Sequence, residues 1–137
     1  MNSRKWNIPL TYEPKISAVI AGTCTQTIRT GRKFNEGDLI RFYTWQGRPY
    51  RSFRTTITGY MKISKAIQCK IYIFGIWISS EYKLPTAGLC IWGDLNWLAA
   101  RDGIVPPTGE ALRDVLIAKN GKIPYEGIDA QIVRWFP

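Results

Sequence analysis

The apolar side chains of residues 13–21 follow the spacing of one helix face: Ile16, Val19 and Ile20. Pro14 suits the first turn of a helix, and Gly22 suits the left-handed residue that often ends one. The pattern therefore predicts a short helix over residues 13–21, preceded by a strand or arm over residues 2–12.

The next part of the chain alternates between apolar and polar positions, which is the period of a β-strand. Three extended runs are predicted, over residues 39–45, 51–61 and 66–78, with a turn at residues 46–49. Gly75 predicts a bulge or bend inside the third run.

Helical spacing returns in the second half. Asp94 predicts the start of a helix that Gly103 ends. Thr108 predicts the cap of a longer helix that ends at Asn120-Gly121. Helix formation is therefore expected on both sides of the strand-rich centre.

Two further strands are predicted over residues 25–29 and 129–136. The chain of 137 residues is long enough for one real core and shows no linker or repeat. The order of elements predicts a single α+β domain over residues 1–137. Its sheet is expected to be curved or barrel-like and mostly antiparallel, with flanking short helices.

The formal net charge of +9 is unevenly placed. Residues 1–83 contain 14 Lys and Arg against four Asp and Glu, whereas residues 84–137 contain five against six. This asymmetry predicts one basic face turned toward a polyanion. The alternative is that the charge serves only solubility.

The chain contains no histidine, which excludes Ser-His and Cys-His dyads. Its three cysteines have no close spacing, which argues against a disulfide framework or a zinc site and fits a reducing, cytoplasmic setting. No signal peptide or membrane-spanning run is evident, so no membrane partner is expected. No cofactor is expected, and the oligomeric state stays open.

A first candidate site is the segment of residues 24–29. Side chains two apart in a strand share a face, so Thr25, Thr27 and Arg29 are expected to form a polar floor. The alternative is a solvated edge strand. The hypothesis is that Thr27 and Arg29 face a shared cleft, with Cys24 at its edge.

A second candidate site is the basic, aromatic run that follows. Lys and Arg side chains contact phosphates, and aromatic rings stack on bases. This combination suits a single-stranded or flipped nucleotide. The predicted phosphate contacts are Arg29, Arg32, Lys33, Arg48 and Arg51, and the predicted stacking ring is Trp45 or Tyr50. The alternative is an ordinary β-hairpin whose rings belong to the core.

Cys24 is a candidate nucleophile, since Arg29, Arg32 and Lys33 could lower its pKa. A small buried thiol is the alternative. Asp102 is either a carboxylate near the site or part of a solvated turn.

Several short motifs occur in a characteristic order: Ala21-Gly22, Thr25-Gln26-Thr27-Ile28-Arg29, Gly37-Asp38, the run from Tyr43 to Ser52, and Asp102-Gly103-Ile104. In this order the chain resembles the ASCH domain family of the PUA-like superfamily. The resemblance implies a PUA-like β-barrel with flanking helices and a cleft lined by the segment from Thr27 to Arg29. It also implies recognition of RNA or modified bases.

A bacterial branch of that family is similar and hydrolyses acetylcytidine with a Lys, a Thr and a Glu. Matched on Thr27, the chain has Cys24 at the position of that Lys and Asp102 near that of the Glu. Three functions therefore stay open. They are RNA or modified-nucleotide binding, hydrolysis of an acylated cytidine-type base with Cys24, Thr27 and Asp102 as catalytic residues, and protein interaction through tryptophans such as Trp77, Trp92 and Trp97.

Overall fold

The computed structural model describes residues 3–45, 53–79 and 88–136. Within these ranges eight strands are present: β1 Lys5–Pro9, β2 Gln26–Thr30, β3 Leu39–Trp45, β4 Arg54–Thr56, β5 Met61–Tyr72, β6 Gly75–Ile78, β7 Gly88–Ile91 and β8 Ile128–Trp135. The helices are α1 Glu13–Ala21, α2 Asn96–Arg101 and α3 Gly109–Asn120, and a short 3-10 turn precedes α2 at Trp92–Asp94.

The eight strands form one mixed sheet that is mostly antiparallel. The long strand β5 pairs with β8 and also with β3 and β6, while β2 pairs with β8. β1 lies parallel to β3, and β4 and β7 extend the sheet beyond β3 and β6. Within the described ranges the sheet does not close into a barrel. The α+β class and the mostly antiparallel sheet are confirmed.

Two strand predictions are corrected by the pairing. The run over residues 66–78 is a hairpin, because Tyr72 pairs with Gly75 and the chain turns at Ile73 and Phe74. Within the described part of the run over residues 51–61, only Arg54–Thr56 and Met61 belong to strands.

Helix α1 has the predicted bounds, and Gly22 ends it with φ 77°. Its buried face differs from the prediction. Lys15 and Val19 are buried, whereas Ile20 is 60% exposed. A lysine therefore occupies a position that the apolar pattern assigned to the outside of the helix.

The two later helices differ in how they begin. Thr108 caps α3 as predicted, because its Oγ1 accepts a hydrogen bond of 3.2 Å from the backbone N–H of Ala111. Asp94 does not cap α2. It lies in the 3-10 turn, and α2 starts after Leu95 without a side-chain cap.

Two apolar clusters lie on the described part of the sheet. One packs α2 and α3 against β5, β6 and β8. The other packs α1 against β1 and β3, and it includes Phe42 and Trp135, whose ring centroids lie 4.9 Å apart. Strand β8 contributes to both clusters, with Ile132 in the first and Val133 in the second. The space between α1, β2 and α3 lies where the two clusters meet.

Candidate functional site

A cavity of about 420 Å³ opens between the β1–α1 connection, helix α1, strand β2 and helix α3. Its volume falls in the range of sites that bind small molecules. The described residues that carry its polar chemistry are Thr11, Tyr12, Lys15, Thr27, Arg29, Asp102, Asp114 and Lys119. Leu10, Ile104 and Leu116 supply apolar wall.

Strand β2 places Thr27 and Arg29 in this wall, two positions apart on one face of the strand. Both are buried, at 1% and 8% exposure. Arg29 donates from Nη2 to the backbone oxygen of Pro9 at 2.9 Å, and burial lowers the pKa of Arg29 to about 10. Thr27 Oγ1 and Arg29 Nε have no hydrogen-bond partner among the described residues.

A buried ion pair crosses the cavity wall between two helices. Lys15 Nζ of α1 lies 3.0 Å from Oδ2 of Asp102, the residue that follows α2. Asp102 Oδ1 has no hydrogen-bond partner within the described ranges. A buried carboxylate oxygen is costly to leave unpaired, so this oxygen is ready to accept from a bound group.

Gly103 allows this approach of the two helices. Its φ is 75°, and an added Cβ would lie 3.3 Å from Cys24 Sγ and 3.6 Å from the Lys15 Cα. A side chain here would therefore be strained by the positive φ and would press on the Cys24 sulfur, whereas its approach to the Lys15 backbone is ordinary contact.

Lys119 lies at the outer part of the wall, on the last turn of α3. Burial lowers the pKa of Lys119, and the cations Arg29 and Lys15 lower it further. The residue is nevertheless exposed over much of its surface, so solvent limits this decrease.

Cys24 does not line the cavity. It is 2% exposed, and its Sγ donates to the backbone oxygens of Gln26 at 3.3 Å and Arg101 at 3.5 Å. Burial raises the pKa of this thiol. The expected position at the cleft edge is therefore corrected: the thiol joins the end of α2 to the start of β2, and its surroundings oppose the thiolate that a nucleophile needs.

The other residues expected at the polar floor and in the basic loop lie outside the cavity. Thr25 precedes β2, and its backbone oxygen accepts from the N–H of Trp135. Arg32 and Lys33 are exposed, and Arg32 stacks over Trp6 at 5.8 Å. The loop that carries them is anchored by Phe34, whose backbone N–H and oxygen bond the Gln131 side chain at 2.8 and 2.9 Å.

A second polar surface lies on the outer face of β1, β3 and β4, and we call it the basic aromatic surface. Its members are Lys5, Arg41, Tyr43, Trp45, Arg54 and Tyr60. Arg41 lies 4.5 Å from the Tyr60 ring, and Arg54 lies 4.7 Å from the Tyr43 ring. None of these three strands contains an Asp or Glu.

The basic aromatic surface and the cavity meet at the end of β1. The N–H of Leu10, a cavity residue, donates to the backbone oxygen of Tyr43 at 2.9 Å. Pro9, the last residue of β1, accepts from Arg29. One backbone hydrogen bond therefore connects the strand that carries Tyr43 to the wall of the cavity.

Three predicted contacts, Arg48, Tyr50 and Arg51, lie outside the described residues. Among the tryptophans proposed for protein interaction, Trp92 is in the core and Trp77 is 41% exposed on β6. Trp97 packs partly buried against the core. In the part of the chain that the structure describes, no helix has the length and apolar character to cross a membrane, and no metal-binding cluster occurs.

Comparison with known proteins gives no match to any family model, curated protein or solved structure.

The side chains that sequence reasoning missed include Lys15, Lys119 and Tyr60. Lys15 could have been found from its spacing, because it precedes Val19 by four positions and therefore lies on the same buried face of α1. Lys119 carried no signal, because a lysine in the last turn of a helix is ordinary. Tyr60 follows a strand whose short length was not predicted.

Proposed function

We propose that the protein binds RNA or a modified nucleotide, with one base or nucleoside in the cavity. The observation that carries this proposal is the set of buried polar atoms without partners on cavity residues, namely Thr27 Oγ1, Arg29 Nε and Asp102 Oδ1. Buried polar groups are nearly always hydrogen-bonded, so a ligand with matching donors and acceptors would complete them. The edge of a nucleobase carries both hydrogen-bond donors and acceptors.

The basic aromatic surface supports a nucleic acid rather than an isolated small molecule. Its rings can stack on bases while Lys5, Arg41 and Arg54 neutralise phosphates. The strand that carries Tyr43 is also hydrogen-bonded to Leu10 of the cavity wall, so both regions belong to one part of the fold.

The test is binding of a fluorescently labelled, single-stranded RNA, followed by anisotropy. Trp45→Ala should weaken binding by about 1–3 kcal/mol, the usual contribution of one stacking ring. Trp77→Ala removes an exposed tryptophan from another strand and is the matched control. No binding by the unaltered protein, or equal losses in both variants, would overturn the proposal.

The cavity itself is tested with Thr27→Val, which keeps the shape of the side chain and removes its hydroxyl. Binding should weaken while the unfolding free energy stays equal or rises, because the buried hydroxyl has no partner within the described structure. Unchanged affinity would remove the cavity from the proposal.

A second candidate function is hydrolysis of an acylated cytidine-type base. It is favoured by the Lys15–Asp102 pair, which shares the cavity with the Thr27 hydroxyl. These residues supply a Lys, a Thr and a carboxylate, the set used by the branch that the sequence resembles, with Lys15 in place of Cys24. The Thr27 oxygen would attack the acyl carbon, Asp102 would take the hydroxyl proton and pass it to the leaving amine, and water would then release the carboxylic acid.

This candidate is tested by incubating the protein with acetylcytidine and separating the products by chromatography. Cytidine and acetate should appear, and Thr27→Val and Asp102→Asn should abolish their formation. Cys24→Ala should leave it unchanged. Absence of turnover by the unaltered protein would leave binding as the function.

A further inference from the structure

The charges in the cavity wall do not balance. Lys15 is neutralised by Asp102 at 3.0 Å. Asp114, the other carboxylate of the wall, is largely exposed and lies 3.3 Å from Arg113. Arg29 and Lys119 have no carboxylate within ion-pair distance among the described residues. Neither of these two cations is therefore ion-paired within the described chain, although the Asp102 charge acts on both from farther away.

Of these two cations, Arg29 gives the stronger evidence for an anionic group on the ligand. The residue is 8% exposed, and its guanidinium donates to a neutral acceptor, the backbone oxygen of Pro9. Buried charges are normally paired, because an unpaired charge in the interior is costly. Its Nε–H, which has no partner in the described structure, is free to donate to a second acceptor.

We infer that the cavity binds its ligand through a carboxylate or phosphate group placed between Arg29 and Lys119. The inference rests on the proposed function in that it takes the same cavity as the ligand site, and it adds the class of group that the ligand must carry. An oxyanion there would accept from Arg29 Nε and from the Lys119 ammonium. Charge-assisted hydrogen bonds of this kind are shorter and stronger than neutral ones.

The opposite part of the wall fits the remainder of such a ligand. Asp102 Oδ1 can only accept, so it favours an N–H or O–H donor on the ligand. Thr27 can donate or accept, and Ile28 and Leu116 offer apolar contact to a ring. A pyrimidine with one oxyanion substituent satisfies both sides.

Lys119 should make the binding of such a ligand depend on pH. Its pKa is lowered by burial and by cationic neighbours, so an oxyanion beside it would raise that pKa and draw a proton onto the amine. The ionisable groups that share the cavity with it are Tyr12, Lys15, Arg29, Asp102 and Asp114. A ligand of constant charge should therefore bind with proton uptake, and its affinity should fall as the pH rises through the pKa of Lys119.

The experiment is isothermal titration calorimetry of the whole protein with two matched pairs of probes. Orotate against uracil tests the carboxylate, and cytidine 5′-monophosphate against cytidine tests the phosphate. Within at least one pair the anion should bind at least tenfold more tightly. Which pair shows the preference distinguishes the two sources of the oxyanion.

Lys119→Gln should lower the affinity for the preferred anion toward that for its neutral partner, with Arg29 still in place. It should also abolish the proton uptake that accompanies orotate binding, seen as buffer-dependent enthalpy. Lys122→Gln, at an exposed lysine just after α3, is the matched control and should change neither. Arg29→Gln should give the same loss, but Lys119→Gln carries the test because its exposed position leaves folding intact.

The outcomes separate this inference from the proposed function. Equal affinity for anion and neutral partner in both pairs overturns the oxyanion site while leaving base binding in place. Binding of orotate, without binding of cytidine, its phosphate or RNA, supports the oxyanion site and overturns the nucleotide function. Loss of anion preference in Lys122→Gln as well would also overturn the assignment, since it would show a general effect of surface charge.

Discussion

Lys15 and Asp102 form an ion pair of 3.0 Å in which both side chains are less than a tenth exposed. The pair fixes helix α1 to the end of α2 and sets one wall of the cavity. Removing one partner of a buried pair leaves the other charge uncompensated, whereas removing both can be nearly neutral.

We therefore expect Lys15→Met and Asp102→Leu each to lower the unfolding free energy by about 3 kcal/mol or more. The double variant should lose less than the sum of the two by at least about 1 kcal/mol. Urea unfolding of the four proteins measures this coupling. Additive losses would show that the two side chains do not stabilise each other.

Asp38 should make stability depend on pH. Burial alone would raise its pKa, but hydrogen bonds from the Trp6 indole and from the backbone N–H groups of Arg4 and Asn35 outweigh this and lower it. Because the folded pKa lies below the unfolded one, the ionised carboxylate stabilises the fold above about pH 4, and this stabilisation is lost as the pH falls through the folded pKa.

Asp38→Asn should thus cost about 1–3 kcal/mol at pH 7 and much less near pH 2–3, measured by urea unfolding at both pH values. The neighbouring Glu36 is exposed, and its ion pair with Lys65 is long, at 3.9 Å. Glu36→Gln should therefore change the unfolding free energy by less than about 0.5 kcal/mol. A loss for Asp38→Asn that stayed constant with pH would contradict the expected role of the charge.

The thiol groups should be unreactive in the folded protein. Cys24, Cys69 and Cys90 are all buried, and burial raises the pKa of Cys24 and raises that of Cys69 to about 12. Ellman's reagent should therefore label them only as fast as the protein opens. Rapid labelling that disappears in Cys24→Ala would show that this thiol is accessible after all.

Affinity for single-stranded RNA should fall steeply with salt. If the basic aromatic surface and its neighbours neutralise about four to six phosphates, the slope of log K against log salt is roughly −3 to −4. Anisotropy at several potassium chloride concentrations measures the slope, and Arg54→Ala should reduce its magnitude by about 0.7. A slope near zero would exclude charge as the main determinant.

The elements that could be predicted are those whose local signals agree with their packing. Helix α1 ends at Gly22 and α3 is capped by Thr108, because each terminus is fixed by residues next to it in sequence. Strand β3 turns Ile40 and Phe42 inward as its alternation indicates.

The parts that could not be predicted depend on residues far apart in the chain. The hairpin has no Gly or Asn at its central residues, Ile73 and Phe74, and Gly75 directly after them indicated a bend without showing that the chain reverses. Both central side chains are exposed although they are apolar. Lys15 was missed because its partner, Asp102, lies 87 positions later and sequence spacing carries no record of that contact.

Strand β2, which supplies Thr27 and Arg29, pairs only with β8 in the described sheet, and Gln26 faces Arg134 more than a hundred positions later. On the ribosome, therefore, β2 emerges long before the strand that completes it. The backbone of residues 26–30 has no neighbouring strand to pair with until residues 128–135 have been synthesised. Pairing between such distant segments slows folding. Ligand-binding competence should accordingly appear late in synthesis, when β8 is added to the sheet.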